Sequence, residues 1–197
     1  MLEFKDVSFS YPNGRLVLNK LSFLLPRGLS LGILGESGSG KSTVAKLASA
    51  VYRPTSGTIL RKGLIQMIFQ NPVGSLNPKW TISQILEEPL KLHHIQKHPE
   101  QILEEVGLSS DFLTRRPSQL SGGQCQRVAI ARALSLSPDI LIADESTSSL
   151  DHKTEAQVLQ LLKARQKELG FGMVVISHNP EVISCMTDTV IHLKPNV

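Results

Sequence analysis

A chain of 197 residues has the length of one domain and can bury a substantial hydrophobic core. Its 41% hydrophobic and 19% charged residues are typical of a folded protein. The net charge of +4 is too small to choose between a nucleic acid and an anionic membrane surface as a partner. Aromatic residues make up only 5%, without the basic and aromatic cluster with which single-strand-binding proteins stack on bases.

Cysteine usage and hydropathy indicate the compartment. Cys125 and Cys185 are too few and too far apart for a disulfide framework or a zinc site. No apolar run approaches the roughly 20 residues that span a bilayer, and the chain begins with a mixed polar and apolar strand rather than a signal peptide. We therefore expect a reduced, cytosolic protein that reaches a membrane only through a partner.

The first third of the chain predicts strands around a glycine-rich loop. A turn at 11–14 separates the first two strands, and the third strand runs directly into the loop, which a helix follows. The predicted elements are strands at 2–9, 17–25, 29–34, 57–60 and 65–69 and a helix at 42–51.

The rest of the chain predicts a helical insertion and then a return to alternating helices and strands. The pairs Asn71-Pro72 and Asn77-Pro78 mark the loop that opens the insertion. The predicted elements are helices at 82–92, 100–106, 122–136 and 152–169 and strands at 140–143, 173–176 and 189–193. We expect a single domain over 1–197, with an α/β core of 1–70 and 138–197 around a helical subdomain of about 71–137.

A phosphate-binding loop is the clearest motif. Residues 35–42 fit G-x-x-x-x-G-K-[ST], and the strand before it and the helix after it favour this reading over a glycine-rich turn with a solvated lysine. Backbone N–H groups at a helix N-terminus bind a triphosphate, with Lys41 bridging the β- and γ-phosphates and Ser42 ligating Mg²⁺. The predicted nucleotide-binding residues are Gly35, Glu36, Ser37, Gly38, Ser39, Gly40, Lys41, Ser42 and Thr43.

An acidic pair follows the continuous apolar strand at 140–143. In phosphoryl-transfer folds such a strand delivers an aspartate, here Asp144, to the Mg²⁺ shell. The adjacent Glu145 can polarise water for attack on the γ-phosphate. A carboxylate pair that caps a turn and meets solvent is the alternative. The phosphate loop a hundred residues earlier favours the catalytic role.

Three single residues are weaker candidates. Gln70 follows the strand at 65–69 and could reach Mg²⁺ or the attacking water, although a glutamine at a strand end is usually a loop residue. His178 ends a core strand and could face the γ-phosphate, although a lone histidine is usually a surface or capping residue. Tyr11 could stack on adenine or simply pack.

A histidine cluster lies in the predicted insertion. Imidazole suits nickel and zinc, so His93, His94 and His98 could bind a metal. A solvated helical face is the favoured interpretation, because no carboxylate or cysteine lies at ligand spacing nearby.

A second motif carries a family resemblance. Leu120-Ser121-Gly122-Gly123-Gln124 fits the signature peptide of ATP-binding-cassette proteins, and from about Glu3 to Leu193 the chain resembles the nucleotide-binding subunit of an ABC transporter. The resemblance implies an α/β P-loop NTPase (RecA-like) parallel-sheet core with a small antiparallel β subdomain and an inserted α-helical signature subdomain. The matching elements, in family order, are the A-loop Tyr11, the P-loop 35–42, the Q-loop Gln70, the signature, the Walker B strand 140–145, the D-loop Ser148-Ser149-Leu150-Asp151 and the switch His178.

The resemblance also implies an assembly that hydrolyses ATP. Two subunits would form a head-to-tail dimer with two ATPs at the interface, and closure would drive two membrane permeases. The chain would then lie peripherally on the cytoplasmic face of the membrane. Implied contacts to the ATP of the other subunit come from Ser121, Gly122, Gly123 and Gln124, implied Mg²⁺ ligands are Ser42, Gln70 and Asp144, and implied catalytic residues are Glu145, His178 and Gln70.

A finer match concerns the cargo. Ser75-Leu76-Asn77-Pro78 and Arg116-Pro117-Ser118-Gln119 are similar to the oligopeptide, dipeptide and nickel importer group. That group implies a related but different partner ATPase and an extracellular binding protein reached through the permeases. Leu76 and Trp80 would receive a permease helix, or else pack in the core. The chain ends soon after Leu193, without the extension common in peptide importers, which leaves nickel or a metal chelate at least as well favoured as a peptide.

Three residues depart from the family pattern without removing a catalytic group. Cys125 stands where arginine is usual, Ser146 where proline is common, and Asn179 where aspartate follows the switch histidine. An ATPase acting on nucleic acid or the ribosome is the alternative function, but neither a long coiled-coil insertion nor a tandem cassette is present. A partner that binds ATP without hydrolysing it is a third alternative, which the intact Glu145 and signature disfavour.

Overall fold

The computed structural model describes residues 1–12, 14–147 and 150–195. They fall into two compact units. The first contains Met1–Met67, Asp139–Glu145 and Gln166–Val197, and the second contains Ile68–Pro138 and Ser146–Arg165. The predicted division, a core of 1–70 and 138–197 around a subdomain of about 71–137, stays a prediction.

Eight strands form two sheets within the described residues. β1 pairs antiparallel with β2 and β4 in a three-stranded sheet. The second sheet has the order β5-β6-β7-β3-β8, in which β7 is parallel to β6 and β3, and β8 is parallel to β3. The strands are β1 (Leu2–Ser10), β2 (Leu16–Leu25), β3 (Ser30–Gly35), β4 (Ser56–Arg61), β5 (Ile65–Ile68), β6 (Ile140–Asp144), β7 (Gly172–Ser177) and β8 (Thr189–Leu193).

Burial follows position in the five-stranded sheet. All five residues of β6 are buried, as are the first five of β7, because each strand has a neighbour on both sides and both faces are covered. β8 is an edge strand and is largely exposed. The core of the first unit joins this sheet to apolar residues of β1, β2 and the helix at Lys41–Ala48. Phe4 and Phe23 stack in it with ring centroids 4.4 Å apart.

Helices make up most of the second unit. The helix at Ile82–Leu92 begins with a capping box, in which Thr81 Oγ1 accepts from the N–H of Gln84 and Gln84 Oε1 accepts from the N–H of Thr81. The helix at Gly122–Leu134 packs against the three shorter helices that precede it in this unit. The helices of the chain are α1 (Lys41–Ala48), α2 (Pro72–Ser75), α3 (Ile82–Leu92), α4 (Pro99–Glu104), α5 (Gly122–Leu134), α6 (His152–Leu169) and α7 (Pro180–Met186).

The structure confirms the predicted α/β class, with a parallel core sheet and a small antiparallel sheet. Every predicted strand and helix is present, with shifts of up to three residues at the ends. α1 stops early because Ala50 takes a left-handed φ of 63°, which a helix cannot continue. In the described ranges, no helix combines the length and the apolar character needed to cross a membrane.

Two helices were not predicted: the four-residue α2, which lies in the predicted loop after Asn71, and α7. α7 begins at Pro180, and the side chain of Asn179 accepts a hydrogen bond from the N–H of Glu181 at 2.9 Å. An asparagine cap followed by proline at the first helical position is a recognised start signal. The helix has only seven residues, too few for its apolar periodicity to be conclusive.

Candidate functional site

The glycine-rich loop joins the end of β3 to the start of α1, as its sequence predicts. The residue that caps α1 is Gly40, which has a φ of 99° and no side chain to accept from the first N–H groups of the helix. These N–H groups stay available to an anion. A Cβ at Gly40 would also lie 2.8 Å from Val17 Cγ1, so only glycine fits here.

The loop is folded tightly against its own β-sheet. A Cβ at Gly35 would lie 2.5 Å from Ser39 Oγ and 2.6 Å from the carbonyl oxygen of Leu193 in β8. Ser39 is 1% exposed, and its hydroxyl has no hydrogen-bond partner. An unpartnered buried hydroxyl is rare in proteins and indicates a site where a further group is expected.

Lys41 is a buried cation at the first position of α1. It is 6% exposed, and its Nζ donates to the carbonyl oxygens of Gly35 at 2.8 Å and Glu36 at 2.9 Å. Glu145 Oε1 lies 3.6 Å from the same Nζ. The loop therefore bends around its own lysine and holds it with two carbonyls and one carboxylate.

Asp144 ends β6 and is buried beside Ser42, whose hydroxyl donates to Asp144 Oδ1 at 3.3 Å. Burial raises the pKa of Asp144 above its ordinary value, and the Glu145 carboxylate adds to the rise. The hydrogen bond from Ser42 and the charges of Lys46 and Lys41 lower that pKa without cancelling the rise. A hydroxyl and a carboxylate side by side are hard oxygen donors, of the kind that Mg²⁺ prefers.

Glu145 lies between the lysine and the predicted switch histidine. Its N–H donates to the carbonyl oxygen of Ile176 at 2.9 Å, and its φ is 43°. Its Oε1 is 3.6 Å from Lys41 Nζ and 3.6 Å from Nδ1 of His178, an ion pair when His178 is protonated. Left-handed backbone at a residue other than glycine costs of order 1–3 kcal/mol and is found mainly at functional sites.

Tyr11 takes part in an aromatic cluster of the first unit. Its ring meets Phe9 edge to face at 5.1 Å and Tyr52 at 6.0 Å, and its hydroxyl lies 3.2 Å from Thr43 Oγ1. Tyr11 therefore packs within its own unit and keeps a partly exposed ring. Stacking on adenine stays a prediction. Tyr52, the other tyrosine, was not predicted to belong to this cluster, since no motif includes it.

The signature residues open α5 in the second unit. Ser121 Oγ accepts from the N–H of Gln124 at 3.3 Å, and Gln124 Oε1 accepts from the N–H of Ser121 at 2.9 Å. Gly123 faces Thr154 of α6 so closely that a Cβ would lie 2.4 Å from Thr154 Cγ2, whereas a Cβ at Gly122 would approach only Leu150 at 3.8 Å. Gln124 is thus used as a cap, and Thr154 is a neighbour that the sequence did not reveal.

The other predicted residues lie in the second unit or outside the described residues. Gln70 is exposed in the second unit, where its catalytic and Mg²⁺-binding roles stay predictions. Ser148 and Ser149 of the D-loop lie outside the described residues. His93, His94 and His98 are exposed, and no group of three or more metal-ligating side chains is found in the part of the chain that is described.

One predicted docking residue is corrected. Leu76 is 1% exposed and belongs to the packed interior of the second unit, so it cannot receive a permease helix. Trp80 is 37% exposed and remains a candidate. Cys125, the departure after the signature, is buried with its Sγ 3.5 Å from the carbonyl oxygen of Pro117, and burial raises the pKa of its thiol.

The chain matches a known protein family over most of its length. A family model described as ABC transporter matches residues 18–148, two thirds of the chain. The chain belongs to the ABC transporter family. It carries the ATP-binding domain of that family, and both the phosphate loop and the signature lie inside the matched segment.

Three curated relatives of this ABC domain are named for peptide transport. The dipeptide transport ATP-binding protein DppF of Haemophilus influenzae is 42% identical, over 92% of this chain and 62% of its own length. The probable D,D-dipeptide transport ATP-binding protein DdpF of Escherichia coli is 39% identical, and the oligopeptide transport ATP-binding protein AppF of Bacillus subtilis is 40% identical. Each of these two is matched over 96% of this chain and 68% of its own length. The chain thus spans about two thirds of the length of the relatives it matches.

Two solved structures share the fold of this ABC domain. The ATP-binding cassette MJ0796, in a dimeric post-hydrolysis state with ADP and Pi, has a TM-score of 0.87 at 30% identity and covers 100% of this chain and 97% of its own. The cbiO1 protein of Clostridium perfringens, part of the complex cbiONQ, has a TM-score of 0.84 at 26% identity and covers 100% of this chain and 86% of its own.

The two signature glycines should respond differently to a methyl group. We expect Gly123→Ala to destabilise the protein by about 1–3 kcal/mol, because the new Cβ overlaps Thr154 Cγ2. Gly122→Ala is the matched control and should change stability by less than about 1 kcal/mol. Thr154→Ser removes Cγ2 and should restore the stability of the Gly123→Ala variant, as measured by urea denaturation. Equal stability of the two alanine variants would contradict this packing.

The raised pKa of Asp144 should make stability depend on pH. Because the folded protein holds this proton more tightly than the unfolded chain, stability falls as pH rises from the ordinary aspartate range through the folded pKa. We expect Asp144→Asn to resist urea better than the unmodified protein at pH 7, and the difference to vanish near pH 4. Asp111→Asn, at an exposed site, is the control and should change stability little at either pH. A destabilised Asp144→Asn variant at pH 7 would refute the assignment.

Proposed function

We propose that this chain is the ATP-hydrolysing subunit of a membrane importer, with a peptide as the favoured cargo. The observation that supports hydrolysis best is the cluster in which Glu145 lies 3.6 Å from both Lys41 and His178, next to the Ser42–Asp144 pair. This cluster combines a buried cation, a hydroxyl with a carboxylate, and a second carboxylate that can act as a base.

The phosphate loop binds the triphosphate of ATP. The free N–H groups at the start of α1 and the loop amides are donors to phosphate oxygens, and the macrodipole of α1 favours the negative charge. Lys41 already points its ammonium along the loop and holds it with carbonyl oxygens. It binds the β- and γ-phosphates without losing much side-chain entropy, since its position is set before the nucleotide arrives.

Ser42 and Asp144 are the side chains that would hold Mg²⁺. Magnesium in such sites keeps only one or two protein ligands and takes the rest from phosphate and water, so a pair of this kind suffices. When bound, the ion neutralises charge that develops on the phosphate oxygens. The raised pKa of Asp144 indicates that its carboxylate gains from a cation nearby. Gln70 is proposed as a further ligand from the resemblance alone.

Glu145 is the proposed general base, and His178 the proposed residue that senses the γ-phosphate. The backbone of Glu145 is fixed by the hydrogen bond from its N–H to Ile176, and its carboxylate lies beside the Lys41 cation. A carboxylate positioned in this way can accept a proton from an attacking water. His178 is exposed on one side and approaches Glu145 on the other, so it can contact both the base and a bound nucleotide.

The signature would complete the site of a second subunit. Ser121 and Gly122 are exposed at the start of α5, where N–H groups and the helix macrodipole can receive a γ-phosphate. One of the similar solved structures is a dimer with ADP and Pi, which supports a head-to-tail dimer here too.

Peptide transport is the favoured cargo assignment, and nickel or a metal chelate the less favoured one. The relatives described above are named for dipeptide or oligopeptide transport. A subunit of this kind would bind two permeases on the cytoplasmic face of the membrane, and through them an extracellular binding protein. Trp80, Phe69 and Val73 are exposed apolar side chains of the second unit that could receive a permease helix. No observation on the described residues favours the nucleic-acid alternative.

Glu145→Gln tests the catalytic assignment. We expect ATP to bind with nearly unchanged affinity, because Lys41 keeps both carbonyl partners, and turnover to fall by about 100- to 10,000-fold with the loss of the base. The variant should accumulate as an ATP-bound dimer on size-exclusion chromatography. Glu181→Gln, an exposed glutamate in the first turn of α7, is the control and should turn over normally. Normal turnover by Glu145→Gln would refute the role of this residue.

Cellular uptake tests the cargo. Deleting the gene should abolish uptake of a labelled dipeptide and leave nickel uptake unchanged. The unmodified gene should restore dipeptide uptake, and the gene for Glu145→Gln should not, because transport depends on hydrolysis. Loss of nickel uptake alone would overturn the peptide assignment and leave the ATPase assignment intact.

A further inference from the structure

A cavity of about 330 Å³ lies in the first unit, beside Ser39 of the phosphate loop. Its walls are six consecutive residues of β2, from Val17 to Ser22, and four residues at the end of β8, from Ile191 to Lys194. Both strands are edges of their sheets, so the cavity opens between two strand edges. Its volume is at the lower end of the range for small-molecule sites, and none of the proposed catalytic residues lines it.

Ser39 forms the wall that this cavity shares with the phosphate loop. Its hydroxyl is buried next to Gly35 and does not face the cavity. The uncharged polar part of the wall comes from Asn19 and Ser22 of β2.

The charged side chains of the cavity are all of one sign. Lys20 and Lys194 line it together with His192, and none of the described residues in its lining is acidic. Lys20 occupies a β-bulge, where the β1–β2 register shifts and its φ is 47°. Bulges redirect side chains, and this one brings a lysine to the edge of β2 beside the cavity.

Five aliphatic residues also line the cavity. Val17, Leu18, Leu21, Ile191 and Leu193 contribute the apolar part of the wall. A cavity with an aliphatic floor and two lysines matches a molecule with one anionic end and one apolar end. A phosphate or sulfate alone would leave the aliphatic side chains uncovered. A neutral apolar molecule would form no ion pair with the two exposed lysines.

We propose that this cavity binds a small organic carboxylate with an apolar body, and that its occupancy strengthens ATP binding. The carboxylate pairs with Lys20 and Lys194, and the body covers the aliphatic floor. Binding of the carboxylate does not depend on the proposed function. The effect on ATP binding does depend on it.

The coupling to the nucleotide follows from the close contacts of the loop. A Cβ at Gly35 or Gly40 would come within 3 Å of Leu193 or Val17, which are cavity residues. The loop is therefore closely packed against the two strands that a ligand would contact. A ligand that fixes these strands and Ser39 holds the loop in the conformation that binds phosphate. ATP binding then loses less conformational entropy.

Octanoate is a suitable probe, with octan-1-ol as a control that lacks the charge and sulfate as a control that lacks the apolar body. We expect calorimetric titration of the nucleotide-free full chain to show saturable binding of octanoate, and at least about tenfold weaker binding of octan-1-ol and of sulfate. Equal binding of octan-1-ol would overturn the role of the lysines, and equal binding of sulfate that of the floor. Absence of octanoate binding would overturn the site, and would leave the ATPase proposal untouched.

Matched lysine variants locate the probe. Lys20→Gln combined with Lys194→Gln should weaken octanoate binding about tenfold or more, with basal ATP turnover unchanged. Lys5→Gln combined with Lys62→Gln removes two exposed lysines of the same unit outside the cavity and should bind octanoate normally. Equal weakening in both double variants would place the probe elsewhere on the surface and refute the site.

The coupling has its own measurement. Saturating octanoate should lower the Kd of ATP about fivefold, and ATP should tighten octanoate by the same factor, as linkage requires. The Lys20→Gln, Lys194→Gln variant should lose this effect. An unchanged Kd of ATP at saturating octanoate would refute the coupling.

Discussion

The burial of one ammonium group is the constraint on which the nucleotide site depends. Lys41 is almost fully enclosed, and a buried cation is tolerated only where oxygen atoms replace its water. Two of these oxygens come from the loop itself, which must therefore bend back over the start of α1. The third comes from Glu145, at the end of a strand two positions away in the sheet. The loop conformation and the sheet order thus both serve to surround the Lys41 ammonium with oxygen atoms.

Parallel strand order brings the remaining groups to that charge. β3 ends in the phosphate loop, β6 in Asp144 and Glu145, and β7 is followed by His178, so their carboxyl ends supply the whole cluster. Open α/β sheets bind ligands at this edge for the same reason. Burial raises the pKa of Asp144, so this end of the sheet disfavours the ionised carboxylate. A cation bound beside Asp144 would favour the ionised form.

Much of this could be predicted from the sequence. Apolar runs and their spacing predict the strands and the longer helices. The site residues at 35–42, 144, 145 and 178 could be predicted because each follows a predicted core strand. What could not be predicted are contacts between residues far apart in sequence. The closeness of Gly123 to Thr154 and the burial of Leu76 depend on how α5 packs, which no local pattern encodes. The cavity at Ser39 depends likewise on two strand edges that are more than 160 residues apart.

The left-handed backbone of Glu145 has a consequence for how this position can vary. Glycine would adopt that φ without strain, but it would also remove one of the three oxygen partners of the buried Lys41 ammonium. The side chain of Glu145 is thus both the proposed base and part of the surroundings that make the lysine tolerable. A change at this position therefore alters stability and the proposed chemistry together.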